Sequence, residues 1–337
     1  MSGSTSAVLT SLCQAWPVEI WKDLNVTVAL SGGADSVALL RAVLEIKQQV
    51  AGVGTVAALH VNHQLRYDES DLDAAWCERL CRALDVQLTV LEGNVSRRAT
   101  VEGDGIEAAA RAERYELLTK AAEGMGARYL ATAHTCDDQV ETVLLRLLRG
   151  TGLRGLGAIP RTRALTPSLT IVRPLLDCSR ETLTAYLTNI SQSYCTDSSN
   201  LDSQYTRNRV RNELLPLLRE QYNPEVNDAL IRYATQAQDA QNLIEVLAGE
   251  LLAQGDLMAS DTQLSLLLSV FEGKPRIVVC ESLRIVWRDT KLPEQAMTYQ
   301  WWRRLGELAD GTVKNKVFNL PEGVRASTSE GRLYLQW

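Results

Sequence analysis

The apolar run Val26-Thr27-Val28-Ala29-Leu30 leads directly into Ser31-Gly32-Gly33-Ala34-Asp35-Ser36, and that into Val37-Ala38-Leu39-Leu40-Arg41-Ala42-Val43-Leu44. The first run, rich in β-branched side chains, reads as a short buried strand. Two glycines then permit a tight turn and let backbone N–H groups approach a ligand closely. The amphipathic run that follows reads as a helix with Ser36 available as its N-cap. Strand, glycine turn and helix N-terminus together make an anion cradle, because unpaired amides and the helix dipole both present positive charge. The loop lacks the Gly-Lys-Ser/Thr of a Walker loop, so a different phosphate chemistry is expected.

Outward from this loop the same alternation repeats. Strand-like runs at residues 55–61, 86–91, 128–133 and 170–175 are separated by helical patterns at 72–84, 106–123 and 136–148. Such alternation predicts an α/β fold built on a doubly wound, mostly parallel sheet. Ligands of such sheets sit beyond the carboxyl ends of the strands. That rule brings the glycine loop, residues 60–66 and residues 134–141 to one rim, together with all three histidines, His60, His63 and His134. Beyond residue 218 the character changes to leucine-rich helical patterns at 227–253 and 262–271. Short β-structure is expected over 316–337, around Pro321-Glu322-Gly323. The expected organisation is a catalytic domain at 1–220 and a smaller helical C-terminal domain at 221–337, ending in short β-structure.

Residues 138–149 carry a second candidate site. At about 100° per residue, Val140, Val143, Leu144, Leu147 and Leu148 form an apolar stripe, with Asp138 and Glu141 together on the polar side. Paired carboxylates at the carboxyl end of a strand can bind an ammonium group, hold Mg²⁺ or act as a base. The alternative is a solvated helix start, where acids favour the dipole. Downstream, Gly150-Thr151-Gly152-Leu153-Arg154-Gly155 matches a dinucleotide pattern but follows a helix rather than a strand, so it reads as a flexible loop.

Composition narrows the partners. The 337 residues are 45% hydrophobic and 23% charged with a net charge of −6, an ordinary balance that argues against indiscriminate nucleic-acid binding. A local basic stretch is nevertheless present. Between residues 142 and 176 lie Arg146, Arg149, Arg154, Arg161, Arg163 and Arg173 without one acidic residue, which points to an anionic partner. Seven scattered cysteines without a Cys-x-x-Cys suggest reduced thiols, and Cys77 and Cys81, four apart, suggest one buried helix face. The N-terminus lacks the charge and apolar blocks of a signal peptide, and no apolar run approaches the roughly 20 residues of a membrane span. A cytoplasmic protein is expected, without membrane partners, and a homodimer is left open.

The loop at residues 31–36 resembles the Ser-Gly-Gly-x-Asp-Ser signature of the PP-loop ATP pyrophosphatases, whose domain is adenine nucleotide alpha hydrolase-like. Further motifs are His60-Val61-Asn62-His63-Gln64-Leu65-Arg66, Glu107-Ala108-Ala109-Ala110-Arg111 and Ala133-His134-Thr135-Cys136-Asp137-Asp138-Gln139-Val140-Glu141-Thr142. Arg173-Pro174-Leu175-Leu176, Asp197-Ser198-Ser199-Asn200 and Thr206-Arg207-Asn208-Arg209-Val210-Arg211 follow in order. Across about residues 20–220 this series is similar to the tRNA(Ile)-lysidine synthetases. The resemblance implies a ligase that forms a carbon–nitrogen bond. ATP would activate the C2 oxygen of the wobble cytidine in the CAU anticodon of tRNA(Ile), and free L-lysine would displace AMP. It implies ATP held by Ser31, Gly32, Gly33, Ala34, Asp35 and Ser36, with Asp35 also the Mg²⁺ ligand. Asp35, His134, Asp138 and Glu141 would be catalytic, and Asp138, Glu141 and Arg111 would bind lysine. Arg146, Arg149 and Arg207 are the expected tRNA contacts, and the C-terminal domain the expected docking unit. The chemical alternative is a PP-loop tRNA 2-thiolation enzyme, against which the missing Cys-x-x-Cys counts. A non-catalytic ATP sensor would need neither the acid pair nor the basic stretch.

Overall fold

The computed structural model describes residues 3–62, 68–93, 106–195, 206–294, 296–313 and 316–337. Two compact units divide it, residues 1–234 and residues 235–337. In the first, α1 (Gly3–Ala15), β1 (Val26–Ala29), α2 (Ala34–Gln49), β2 (Val56–Asn62), α3 (Asp68–Ala83) and β3 (Gln87–Glu92) follow one another. Then come α4 (Ile106–Gly124), β4 (Tyr129–Ala131), α5 (Cys136–Leu148), β5 (Thr162–Ala164), β6 (Thr170–Val172) and α6 (Arg180–Asn189). The sheet runs β3-β2-β1-β4-β6-β5. All its pairings are parallel except that of β5 with β6.

Both faces are covered, as the strands' continuous apolar sequences require. On one side Val8, Leu12, Val37, Leu40, Leu183 and Tyr186 pack against Val26 and Val28, with Trp16 stacked on Trp21 at 4.7 Å. On the other, Leu118 and Ala122 of α4 lie against Leu59, Leu130 and Leu169. Cys77 and Cys81 both face the first of these cores, as their spacing predicts. The strand order reverses between β1 and β4, so the crevice beyond their carboxyl ends is the topological switch point at which such sheets bind ligands.

A helical segment follows α6: a short α-turn at Thr206–Arg209, a π-helical stretch at Val210–Leu214 and an α-helix at Leu215–Gln221. Next is α7 (Val226–Gln254), inside which the unit boundary falls. Sequence reasoning puts that boundary near residue 220. It lies later because Leu230 and Ile231 pack with Val140 and Leu144, and Ala234 with Val143, which ties the start of α7 to α5.

The second unit holds β7 (Met258–Ala259), β8 (Gln263–Leu267), α8 (Arg276–Asp289), α9 (Tyr299–Ala309), β9 (Val317–Asn319), β10 (Arg325–Ser329) and β11 (Arg332–Gln336). Its antiparallel sheet, ordered β7-β8-β11-β10-β9, shares a core with the helices in which Trp287 meets Trp302 edge-on at 5.6 Å. Residues 262–271, expected to be helical, contain strand β8 and a 3₁₀ turn at Ser269–Phe271. A short apolar run cannot be assigned by periodicity alone, and pairing with β11 decides it. Among the described residues no helix is long and apolar enough to cross a membrane.

Candidate active site

Gly32 takes φ +89°, a conformation open to glycine, and turns the chain from β1 into α2. A Cβ there would meet Cys77 Sγ and Cys195 Sγ, each at 3.4 Å, so side-chain packing as well as the turn holds this backbone. Ser36 is not the N-cap. That position is Gly33, which offers no side-chain cap, and Ser36 lies on the first helical turn. Its Oγ donates to Gly33 O (2.9 Å) and accepts from Ser31 N (3.1 Å), bracing the loop from within. The first amides of α2, at the start of the helix, have no partner within it, the arrangement an anion requires.

Helix α5 opens with a capping box: Asp138 N donates to Thr135 Oγ1 (3.4 Å), and Thr135 N donates to Asp138 Oδ2 (2.9 Å). Asp138 Oδ1 remains for cations. Asp138 and Glu141 do share one face, but it is not a solvated one, since Glu141 is only 1% exposed. Three guanidiniums cover the pair. Arg180 donates to Asp138 Oδ1 (2.7 Å), Glu141 Oε1 (3.0 Å) and Asp35 Oδ2 (3.3 Å). Arg207 donates to Glu141 Oε2 (2.7 Å) and Asp138 Oδ1 (3.0 Å). Arg211 is bidentate on Glu141, at 2.7 and 3.0 Å. The acid pair and the nucleotide-loop acid are therefore joined through one side chain, Arg180. The apolar stripe of α5 also differs at its end: Val140, Val143 and Leu144 are buried, whereas Leu147 and Leu148 are exposed.

Burial raises the carboxyl pKa of Glu141, but Arg211, Arg207 and Arg180 outweigh it and hold the group below its ordinary value. At Asp138 burial is likewise outweighed by Arg180, Arg207 and the Thr135 amide. At Asp35 burial prevails over Arg180, and the charge of Asp138 adds to it, so its pKa is raised. His134 is pushed down to about 3, chiefly by burial; Asp138 opposes this, and Arg173, Arg111 and Arg114 add to it. Its Nδ1 lies 3.1 Å from Thr132 Oγ1. A neutral imidazole can position a base but carries no proton as a cation near neutrality.

The other expected residues fall as follows. His60 is buried, its Nδ1 2.9 Å from Leu30 O and 3.5 Å from Cys77 Sγ, which makes it part of the loop's support. Arg146 donates through Nη1 to Gly155 O (2.5 Å) and Ala158 O (2.8 Å), bracing the glycine loop after α5. Arg149 caps α5 and is exposed. Arg207 belongs to the acid cluster described above. Arg111 lies over the Tyr115 ring at 5.3 Å. His63, Gln64, Leu65, Arg66 and residues 197–200 lie outside the described residues, as does the side chain of Glu107.

Sequence reasoning does not single out Arg180 or assign a role to Arg211. A signal for Arg180 exists: it begins α6, capped by Ser179, where a cation opposes the helix dipole unless acids hold it. Arg211 is one helical turn beyond Arg207, so the spacing that selects one selects both. The π-helical stretch at Val210–Leu214 interrupts the segment there, and such interruptions concentrate at functional sites. No group of three or more His, Cys, Asp or Glu among the described residues could itself hold a metal. Asp35, in the first turn of α2 beside the glycine loop, offers one carboxylate, which fits the usual Mg²⁺ pattern of one or two carboxylates plus substrate phosphates.

Residues 7–218 match the family model described as the PP-loop domain. A tRNA(Ile)-lysidine synthase of Bacteroides thetaiotaomicron is 42% identical over 275 residues, covering 81% of this chain and 56% of that protein. Another, from Porphyromonas gingivalis, is 47% identical over 210 residues, covering 62% of this chain and 44% of that protein. The chain thus spans about half the length of the curated relatives it matches. Among solved structures, the U34-tRNA thiolase NcsA of Methanococcus maripaludis, with its 4Fe–4S cluster, aligns at TM-score 0.57 and 15% identity. That alignment covers 69% of this chain and 79% of the other, a likeness of fold alone. With a family model matched over residues 7–218, most of its length, the chain belongs to the PP-loop domain family.

Proposed function

We propose that this protein is a tRNA(Ile)-lysidine synthetase, ligating free L-lysine to C2 of the wobble cytidine in a CAU anticodon at the expense of ATP. The observation that carries the reading is the Arg180 bridge. It puts the nucleotide-loop acid Asp35 and the acid pair Asp138/Glu141 within the span of one guanidinium, so a nucleotide and an amine can meet on one rim. The names of the relatives support the same reading.

In the first half-reaction the cytidine C2 oxygen attacks the α-phosphorus of ATP, and the bond to pyrophosphate breaks. The amides of Gly32, Gly33 and the first turn of α2 stabilise the departing charge as preorganised dipoles. Asp35 would hold Mg²⁺, which supplies charge neutralisation on the phosphates. His134, its Nδ1 engaged with Thr132, keeps Nε2 to orient the base. In the second half-reaction the lysine ε-ammonium gives up a proton to the Asp138/Glu141 pair, the freed amine attacks C2, the carbon–oxygen bond breaks and AMP leaves with the oxygen. Lysine arrives as an ammonium. Asp138 and Glu141 receive it by exchanging the Arg180 contact for the substrate cation, and their depressed pKa keeps both ionised for that purpose. Arg111 is the third proposed lysine-binding residue. Arg149 and the second unit are further proposed tRNA contacts.

The thiolation alternative has less support. The thiols nearest the loop, Cys77 and Cys195, are pushed up to about 12 and about 11 by burial, which leaves them protonated and poorly nucleophilic. The deciding experiment follows labelled lysine into a CAU-anticodon tRNA with ATP, while AMP and pyrophosphate are counted. Stoichiometric lysine incorporation that is lost in Asp138→Asn is the expected result. No incorporation, or incorporation of sulfur in its place, overturns the reading.

A further inference from the structure

A second arginine cluster lies beside His134, and it differs in kind from the one on the acid pair. The Tyr115 ring on α4 is approached by Arg111 at 5.3 Å, Arg163 at 5.5 Å and Arg114 at 5.7 Å. Arg173, just past β6 and only 3% exposed, completes the group, with Nη1 donating to Pro160 O at 2.6 Å. Among the described residues no carboxylate pairs with Arg111, Arg114, Arg163 or Arg173. The buried Tyr115 hydroxyl and Arg173 Nε complete no hydrogen bond of proper geometry there, although Tyr115 lies within side-chain hydrogen-bonding reach of Arg173 and Arg114.

Uncompensated buried charge and unpaired buried donors are each costly, and their coincidence calls for a partner. Burial raises the Tyr115 phenol, yet Arg111 and Arg173 outweigh it and draw it below its ordinary value, while Arg114 and Arg173 are drawn down chiefly by burial. The group needs an anion with several acceptor oxygens. Guanidinium forks match the oxygens of a phosphate, and phosphate does not demand the full charge balance a carboxylate pair would.

We infer that Tyr115, Arg114, Arg163 and Arg173, with Arg111 at the rim, form a phosphate-binding site separate from the glycine loop. The phosphate chemistry is shared by a backbone phosphodiester of the bound RNA and by a phosphate of the nucleotide. In the site, Tyr115 OH and Arg173 Nε donate to the phosphate oxygens, and Arg163 closes over them from the edge strand β5. The inference rests on the proposed function only for the identity of the RNA.

The test uses Arg163→Gln in the full chain, because this side chain is exposed and its loss leaves the core intact, and Tyr115→Phe, which removes one hydroxyl. Binding of a CAU anticodon stem-loop RNA and of ATP is measured separately across a salt series. If the phosphate is the RNA's, Arg163→Gln weakens stem-loop binding about five- to tenfold and lowers the salt slope by about one, with ATP binding unchanged. If it is the nucleotide's, ATP binding weakens by a similar factor and the stem-loop is unaffected. Wild-type affinities for both probes in both variants overturn the site. Lysine incorporation by the wild type is assayed in parallel, so its absence alongside Arg163-dependent stem-loop binding sinks the functional reading alone.

Discussion

Two arginine clusters flank His134, built from the same side chain with opposite charge balance. On one side Arg180, Arg207 and Arg211 close on Asp138 and Glu141, with Asp35 as a third acid. On the other, Arg111, Arg114 and Arg163 gather over Tyr115, with Arg173 beside it and no carboxylate among the described residues. The number of arginines does not distinguish them; the presence of acids does. A balanced cluster is complete without ligand and admits a cation only by exchange. An unbalanced one is incomplete and attracts an anion. His134 feels both, raised by Asp138 and lowered by Arg173, Arg111 and Arg114. It marks the seam between the acid-balanced cluster, proposed to take an amine, and the acid-free one, inferred to take a phosphate.

Charge removal at Glu141 separates the two clusters most severely. Glu141→Gln leaves three guanidiniums facing two remaining carboxylates, Asp138 and Asp35, in a site where Glu141 is 1% exposed. Removing one member of a buried ion pair costs about 3 kcal/mol or more. The matching change on the other side, Arg163→Gln, relieves repulsion between cations and stays within about 0.5 kcal/mol of wild type. Urea unfolding of both variants checks the contrast. Equal losses of stability would show that the clusters are of one kind.

Acid pH gives the next effect. His134 has its pKa lowered to about 3, so the unfolded chain, at about 6.5, binds the proton first and stability falls as pH drops from about 6.5 towards 3. Asp138 and Glu141 are depressed as well; their contribution is present above the unfolded carboxylate values near 4 and is lost only below them. Unfolding free energy measured on acidification below about 6.5 therefore slopes through His134, with His60, whose pKa burial also lowers, adding to the slope and Asp35 opposing it, and His134→Asn reduces it. Arg111→Gln raises the His134 pKa, readable by NMR titration of the imidazole. An unchanged titration would mean that the Tyr115 cluster does not reach His134.

What the sequence made legible follows the range of the interactions. Residues 31–36 are a local matter of turn chemistry, and the structure alters only the cap, moving it from Ser36 to Gly33. Helix α5 begins at Cys136 and ends at Leu148 because its capping box and apolar period are both local. The spacing of Asp138 and Glu141 could be read in the same way. Their partners could not: Arg180 is 42 residues from Asp138 and Arg211 is 70 from Glu141. No periodicity reports contacts made only when α6 and the segment after Thr206 fold back across α5. The same limit explains Tyr115, an unremarkable position on α4 until β5 delivers Arg163. It also explains β8, whose apolar residues acquire a strand's identity only from β11.

Asp35 provides the smallest effect and the sharpest sign. It sits at the edge of the balanced cluster, yet burial prevails over Arg180 and, with the charge of Asp138 adding to it, raises its carboxyl pKa. A carboxyl with a raised folded value contributes stability below the unfolded pKa and loses it as pH rises through the folded one, so at neutral pH its charge is a net cost to the fold. Asp35→Asn is therefore expected to unfold at slightly higher temperature than wild type at pH 7, with the difference vanishing on acidification below about 4. The same variant should lose ATP-dependent lysine incorporation, because an amide replaces the carboxylate that would hold Mg²⁺. A fold that gains stability as activity disappears is the signature of a charge kept for a ligand. If Asp35→Asn is instead destabilised at pH 7, Asp35 belongs with Asp138 and Glu141 as a structural anchor of Arg180, and the nucleotide half of the crevice begins at the amides of Gly32 and Gly33.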